Sequence, residues 1–138
     1  GRWIRHGGWY PDYQTRLYRK DKARWTGGEV HENVQIDGQV ATLKSDLEHF
    51  VFKDLEDQID TNNEFSTLGA KELVGRGKSF SLLKLIFKPI GKFFECYVWK
   101  LGFLDGAPGF IIALGAAQSI FLKFAKMWEI KIQKSTSK

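Results

Sequence analysis

The chain has 138 residues, enough for one domain, and its 43% hydrophobic and 27% charged residues exclude wholesale disorder. A lone cysteine, Cys96, excludes an internal disulfide, and no Cys/His run has zinc-ligand spacing. The net charge of +5 is uneven: residues 1–74 hold 10 Lys/Arg against 13 Asp/Glu, and residues 75–138 hold 11 against 3. The basic, aromatic second part suits a polyanion, and composition leaves an anionic membrane, a phosphorylated glycolipid and nucleic acid all open.

The chain opens Gly1-Arg2-Trp3, without Met and without a signal-type apolar run, as expected of a processed or excised chain. The first 43 residues read as strands and tight turns. Residues 14–19 have strand-like length and content. Asp37-Gly38 lies between the β-prone runs 30–36 and 39–43. Two central residues that tolerate positive φ predict a two-residue type I′ hairpin there.

Helices follow. Ser45-Asp46-Leu47-Glu48 is a capping box that predicts a helix over residues 46–59. Thr61-Asn62-Asn63-Glu64 repeats the device and predicts a second helix ending at Gly75 or Gly77. From Phe80 to Leu101 the pattern is amphipathic. Lys84, Lys88 and Lys92 fall on one side, while Leu83, Phe87, Ile90, Phe94, Tyr97 and Leu101 share the other. Pro89 predicts a kink or break. Residues 101–109 read as a Gly/Pro-rich loop, 110–132 as a last helix and 134–138 as a frayed tail. Asp105 in that loop reads as a helix N-cap, with an acceptor contact as the alternative. The uncharged run 107–122 is 16 residues, short of the ~20 that a bilayer needs.

Two constellations could carry chemistry. One is Trp9-Tyr10-Pro11-Asp12-Tyr13-Gln14-Thr15-Arg16-Leu17-Tyr18-Arg19, and the other is Trp25-Thr26-Gly27-Gly28-Glu29-Val30-His31-Glu32. Aromatic faces suit sugar rings, while Asp, Gln and Arg suit hydroxyls and phosphates. The plain alternatives are that Trp9 and Trp25 are core, Arg16 is solvated, and Asp12 closes the turn after Pro11.

The order Trp-Tyr-Pro-Asp-x-Gln-x-Arg-Leu-Tyr-Arg, Trp-x-Gly-x-x-His-Glu and then Gly102-Phe103-Leu104-Asp105-Gly106 with Gly109-Phe110 resembles the C-terminal half of a bacterial family 2 glycosyltransferase. The lipopolysaccharide-core β-glucosyltransferase branch is the nearest. The resemblance implies an α+β chain. Residues 1–44 would be an acceptor-side β segment of a GT-A-like fold, and residues 45–138 a basic, membrane-associating helical bundle. It implies inverting transfer from a nucleotide-sugar donor to a glycolipid or oligosaccharide acceptor, at the inner face of the bacterial cytoplasmic membrane.

By motif position, Glu32 is the expected base, with Asp12 competing for that role and His31 either orienting Glu32 or approaching the metal–diphosphate. Tyr10, Gln14 and Arg16 would line the substrate site, with Trp9 and Trp25 as its walls. Lys84, Lys88, Lys92 and Lys100 would meet an anionic leaflet, the alternative being a solvated lysine face. Self-association through exposed Phe and Leu is a further option, and no nucleic-acid partner is expected. A divalent cation, Mg or Mn, belongs to the implied reaction. Yet no two aspartates here form Asp-x-Asp, so its ligands and the donor-binding half are expected outside this chain, which by itself would be inactive.

Overall fold

A computed structural model describes residues 2–27 and 33–136. The architecture is α+β: a two-stranded antiparallel ladder followed by three helices. Strand β1 is Ala23–Thr26 and strand β2 is Asn33–Ile36. Their register sets Ala23 opposite Ile36, Arg24 opposite Gln35, Trp25 opposite Val34 and Thr26 opposite Asn33. Partners across a ladder share a face, so Ala23, Trp25, Val34 and Ile36 form an apolar side and the four polar residues the other.

This register overturns the expected hairpin. A two-residue turn at Asp37-Gly38 would set Ile36 against Gln39 and Gln35 against Val40, mixing apolar with polar on both faces. The observed pairing matches like with like. The Asp37 N–H donates to the Lys22 carbonyl at 2.8 Å, so Asp37-Gly38 is where the chain leaves the ladder rather than where it reverses. Residues 39–43 form no strand, and neither do residues 14–19, which run as irregular, exposed chain. The part of the expected strand at 30–32 lies outside the described residues.

Helix α1 spans Leu55–Gly75, longer than either helix expected in this region and starting between their expected starts. Its cap is Asp54, whose carboxylate accepts from the Asp57 N–H at 2.9 Å, while Asp57 reaches back to the Lys53 N–H at 3.0 Å. Two carboxylates in the first turn, Glu56 and Asp57, complement the helix dipole. The Ser45 box opens nothing, and the Thr61 box lies inside α1. The helix end is as expected: Gly77 at φ +72° accepts the left-handed conformation, and the Gly77 and Lys78 N–H groups return to Val74 and Leu73.

Helix α2 is Leu82–Phe94, capped by the Ser81 hydroxyl, and it passes through Pro89 unbroken. The irregularity comes later. Residues Glu95–Trp99 widen to a π turn, closed by the Lys100 N–H on the Glu95 carbonyl at 2.9 Å. Leu101 then takes a left-handed φ of +57°, a single 3-10 turn covers Gly102–Asp105, and helix α3 runs from Ala107 to Thr136. The expected frayed tail is thus helical to Thr136, where the Ser135 and Thr136 hydroxyls donate to the Lys131 and Ile132 carbonyls. The 30-residue α3 is long and apolar enough to cross a bilayer, a property shared by core helices, and only 22% of its most apolar stretch is buried.

The core lies where the three helices meet. Ala70 of α1 and Phe124 and Met127 of α3 are buried, with Leu73, Val74, Leu85, Ile120 and Ile130 around them. Polar ties reinforce the α1–α3 seam. The Lys126 ammonium, for one, sits 2.6–2.8 Å from the Asn63 carbonyl and side-chain oxygens and the Ser66 and Thr67 hydroxyls, which share its three N–H donors. An aromatic cluster closes the α2–α3 end: Phe93 stacks on Tyr97 at 5.3 Å, and Phe110 meets both rings edge-on at 5.6 Å.

Candidate functional site

The first constellation lies on irregular chain ahead of the ladder, and aromatic contacts organise it. Trp9 packs against Phe52 at 5.7 Å, and Tyr10 meets Trp3 edge-on at 6.3 Å, with the Arg5 guanidinium over the Trp3 ring. The Tyr10 hydroxyl donates to Asp46 at 3.3 Å, and the charge of that carboxylate raises the phenol pKa above its ordinary value. These contacts fold residues 46–52 back onto residues 3–10. Phe52 and Asp46 escape a local reading because both are far from the motif in sequence.

Asp12 and Gln14 meet directly: the Gln14 amide donates to Asp12 Oδ1 at 2.9 Å, on exposed chain. Such a bond orients a carboxylate while leaving it open to solvent and to a hydroxyl. Arg16 is exposed, and its neighbour Arg19 forms a two-pronged pair with Asp21. Trp25, 64% exposed on β1, meets the Tyr18 ring at 6.5 Å. His31 and Glu32 lie outside the described residues.

The lysine series splits in two. Lys84 and Lys88 are exposed on the flank of α2. Lys92 and Lys100 both converge on Glu95, at 3.1 Å and 2.6 Å, and these bonds hold the Glu95 carboxyl below its usual range. The inner face of α2 carries Leu85, Pro89, Lys92 and Phe93, all partly buried. Its outer face carries Leu82, Leu83, Ile86, Phe87, Ile90 and Phe94, each 47–68% exposed. The apolar stripe that the sequence pattern draws therefore faces away from the other helices.

Asp105 differs from both readings of it. Its carboxylate accepts from the Arg5 and His6 N–H groups and meets the His6 ring at 3.1 Å, so its bonds go to the start of the chain rather than to the helix behind it. Burial pushes the Cys96 thiol upward, which marks it as a packing group rather than a nucleophile. Among the described residues no cluster of three or more His, Cys, Asp or Glu side chains could hold a metal ion. Those residues do not fit a divalent-cation site.

Comparison with known proteins then bears on the site. Over 116 residues, 83% of this chain, it is 34% identical to the lipopolysaccharide core biosynthesis glycosyltransferase LpsC of Rhizobium meliloti. Uncharacterised glycosyltransferases of Rickettsia felis and Rickettsia typhi are 30% and 28% identical over 83% and 86% of it. All three matches fall in the C-terminal part of the relative. The chain thus corresponds to the C-terminal part of bacterial proteins named as glycosyltransferases. It spans 43–44% of the length of these relatives. No family profile matches it, and no solved structure does. In glycosyltransferase terms, the described chain offers aromatic and hydrogen-bonding groups suited to sugars, together with a basic, apolar helical surface.

Proposed function

We propose that this chain supplies the acceptor side of an inverting, family 2-like glycosyltransferase. The enzyme would move a sugar from a nucleotide-sugar to a lipopolysaccharide-core or other cell-envelope glycan. The observation that carries this reading is the 34% identity, over most of the chain, to a relative named for lipopolysaccharide core synthesis. In this reading residues 1–44 are the acceptor-side segment of a GT-A-like catalytic domain, and residues 45–138 hold it at the inner face of the cytoplasmic membrane. The outward apolar stripe of α2, edged by Lys84 and Lys88, supports that placement.

The chemistry assigned to the chain's own residues is short. A carboxylate, Glu32 or Asp12, takes the proton of the acceptor hydroxyl as that oxygen attacks the anomeric carbon. Gln14 orients Asp12, and Arg16 and His31 stand for charged and hydrogen-bonding contacts to substrate. Trp9, Tyr10 and Trp25 offer sugar-facing surfaces that hold the acceptor in line. A divalent cation would neutralise the departing diphosphate, with ligands outside this chain, so the chain by itself would not transfer sugar. A second reading, a non-catalytic membrane-binding or self-associating module, draws on the same exposed α2 face.

The test is sugar transfer by the enzyme with its donor-binding half present. Glu32→Gln or Asp12→Asn is expected to lower kcat by about 10²–10⁴-fold, the usual worth of a general base. Trp25→Ala is expected to raise the acceptor KM instead. Wild-type rates in both carboxylate variants would overturn the assignment.

A further inference from the structure

The Gly102-Phe103-Leu104-Asp105-Gly106 turn holds a buried carboxylate for which sugar transfer has no evident use. Asp105 is 4% exposed. Its Oδ2 accepts from the backbone N–H groups of Arg5 at 3.2 Å and His6 at 2.8 Å, and its Oδ1 meets His6 Nδ1 at 3.1 Å. Beside this cluster the Gly7 N–H donates to the Lys100 carbonyl at 2.8 Å. A Cβ at Gly8 would come within 2.9 Å of the Lys100 side chain, which Glu95 fixes in place. Residues 5–8 are therefore seated on the turn between α2 and α3, and Trp9, Tyr10, Asp12 and Gln14 follow at once.

The glycines of the turn serve the same seat. A side chain on Gly102 would press on the Cys96 carbonyl at 2.6 Å, and one on Gly109 would fall on the Gly102 carbonyl. The turn is thus closed tightly enough to aim one short carboxylate at two consecutive backbone donors. Two consecutive N–H groups on one carboxylate oxygen fix register: a slip of one residue loses a bond to a buried charge. Glu would push the seat outward by a methylene, and Asn would lack the charge.

We propose that Asp105 is a positioning residue for sugar transfer: by pinning Arg5 and His6 to the α2–α3 turn, it fixes the Trp9–Gln14 segment relative to the membrane-facing helices. Its consequence for catalysis rests on the sugar-transfer reading above, whereas the clasp itself does not. A lipid-borne acceptor held at a membrane surface needs its sugar-binding residues at a set height and angle, and the clasp links the two surfaces rigidly.

Two measurements decide it. In amide hydrogen exchange on this chain, Asp105→Asn is expected to speed exchange of the bonded amides of Arg5, His6, Gly7 and Trp9 about 10-fold or more, with α1 and the α3 core unchanged. Unchanged exchange at those four amides, or equal loosening of α1 and α3, would overturn the clasp. In the enzyme with its donor-binding half, the same variant is expected to raise the acceptor KM about 10-fold, with donor KM within about 2-fold. Asp105→Glu should recover part of that loss. An acceptor KM within about 2-fold of wild type would refute the positioning role. Absence of transfer by the wild-type enzyme would count against the sugar-transfer reading alone, and the exchange measurement would still decide the clasp.

Discussion

At the scale of single residues, the Asp105 carboxyl shows how burial and hydrogen bonding compete. Burial alone would raise its pKa, but the His6 ring and the two backbone donors outweigh that and hold it below its ordinary 3.8. A carboxyl with a depressed folded-state pKa contributes stability that is present above its unfolded value and is lost as pH falls through the folded one. The comparison of wild type with Asp105→Asn in urea unfolding should therefore show a gap of about 1–3 kcal/mol at neutral pH. The gap should be constant down to about pH 5 and close below about pH 4. A gap independent of pH would mean that charge is not what the variant removes. The sequence marks Asp105 as notable through its glycine-rich setting, yet its donors lie 99 and 100 residues away. No local rule reaches that far, and shorter but still non-local separations hide Phe52 behind Trp9 and Asp46 behind Tyr10.

Elements were legible in proportion to how locally they are specified. The end of α1 just before Gly77 and the presence of an amphipathic helix at α2 follow from glycine and a strong amphipathic period, whereas the Ser81 cap and the unbroken passage through Pro89 are not read locally. Nor is the start of α1, because Ser45, Asp54 and Thr61 are all acceptable caps and only tertiary packing chooses Asp54. The ladder is not legible locally, because Asp37-Gly38 satisfies turn chemistry while pairing is decided by Trp25 and Ala23, outside the local window. Glycine within helices offers a direct check on this packing. A Cβ at Gly91 in α2 meets nothing within 4 Å, so Gly91→Ala should stabilise by up to about 1 kcal/mol through helix propensity. Gly109→Ala lies in the first turn of α3 and gains the same propensity, but its methyl would strike the Gly102 carbonyl. It should instead destabilise by about 1–3 kcal/mol. Thermal or urea unfolding of the two variants should show opposite signs; two stabilising results would mean that the turn is not closed as described.

For the molecule as a whole, the decisive feature is that the most apolar face of α2 points outward. The inner face is furnished by Leu85, Pro89, Lys92 and Phe93, so the outer stripe of six large apolar side chains has no role in the three-helix core. Lys84 and Lys88 on its flank supply the charge that an anionic surface would attract, whereas Lys92 and Lys100 are engaged by Glu95. Each lysine near such a surface is worth about 1 kcal/mol, and the attraction weakens with salt. Cosedimentation of the chain with phosphatidylglycerol vesicles should therefore show binding that falls as salt rises. Lys84→Ala with Lys88→Ala should lower the partition constant by about 30-fold, the equivalent of two such contributions. Phe87→Glu should abolish binding at any salt, because it places charge in the centre of the stripe. A double lysine variant that binds within about 2-fold of wild type would remove the electrostatic part of the argument. If sedimentation instead shows a dimer that Phe87→Glu dissolves, with no vesicle binding by the wild type, the stripe is a self-association surface and the membrane reading fails.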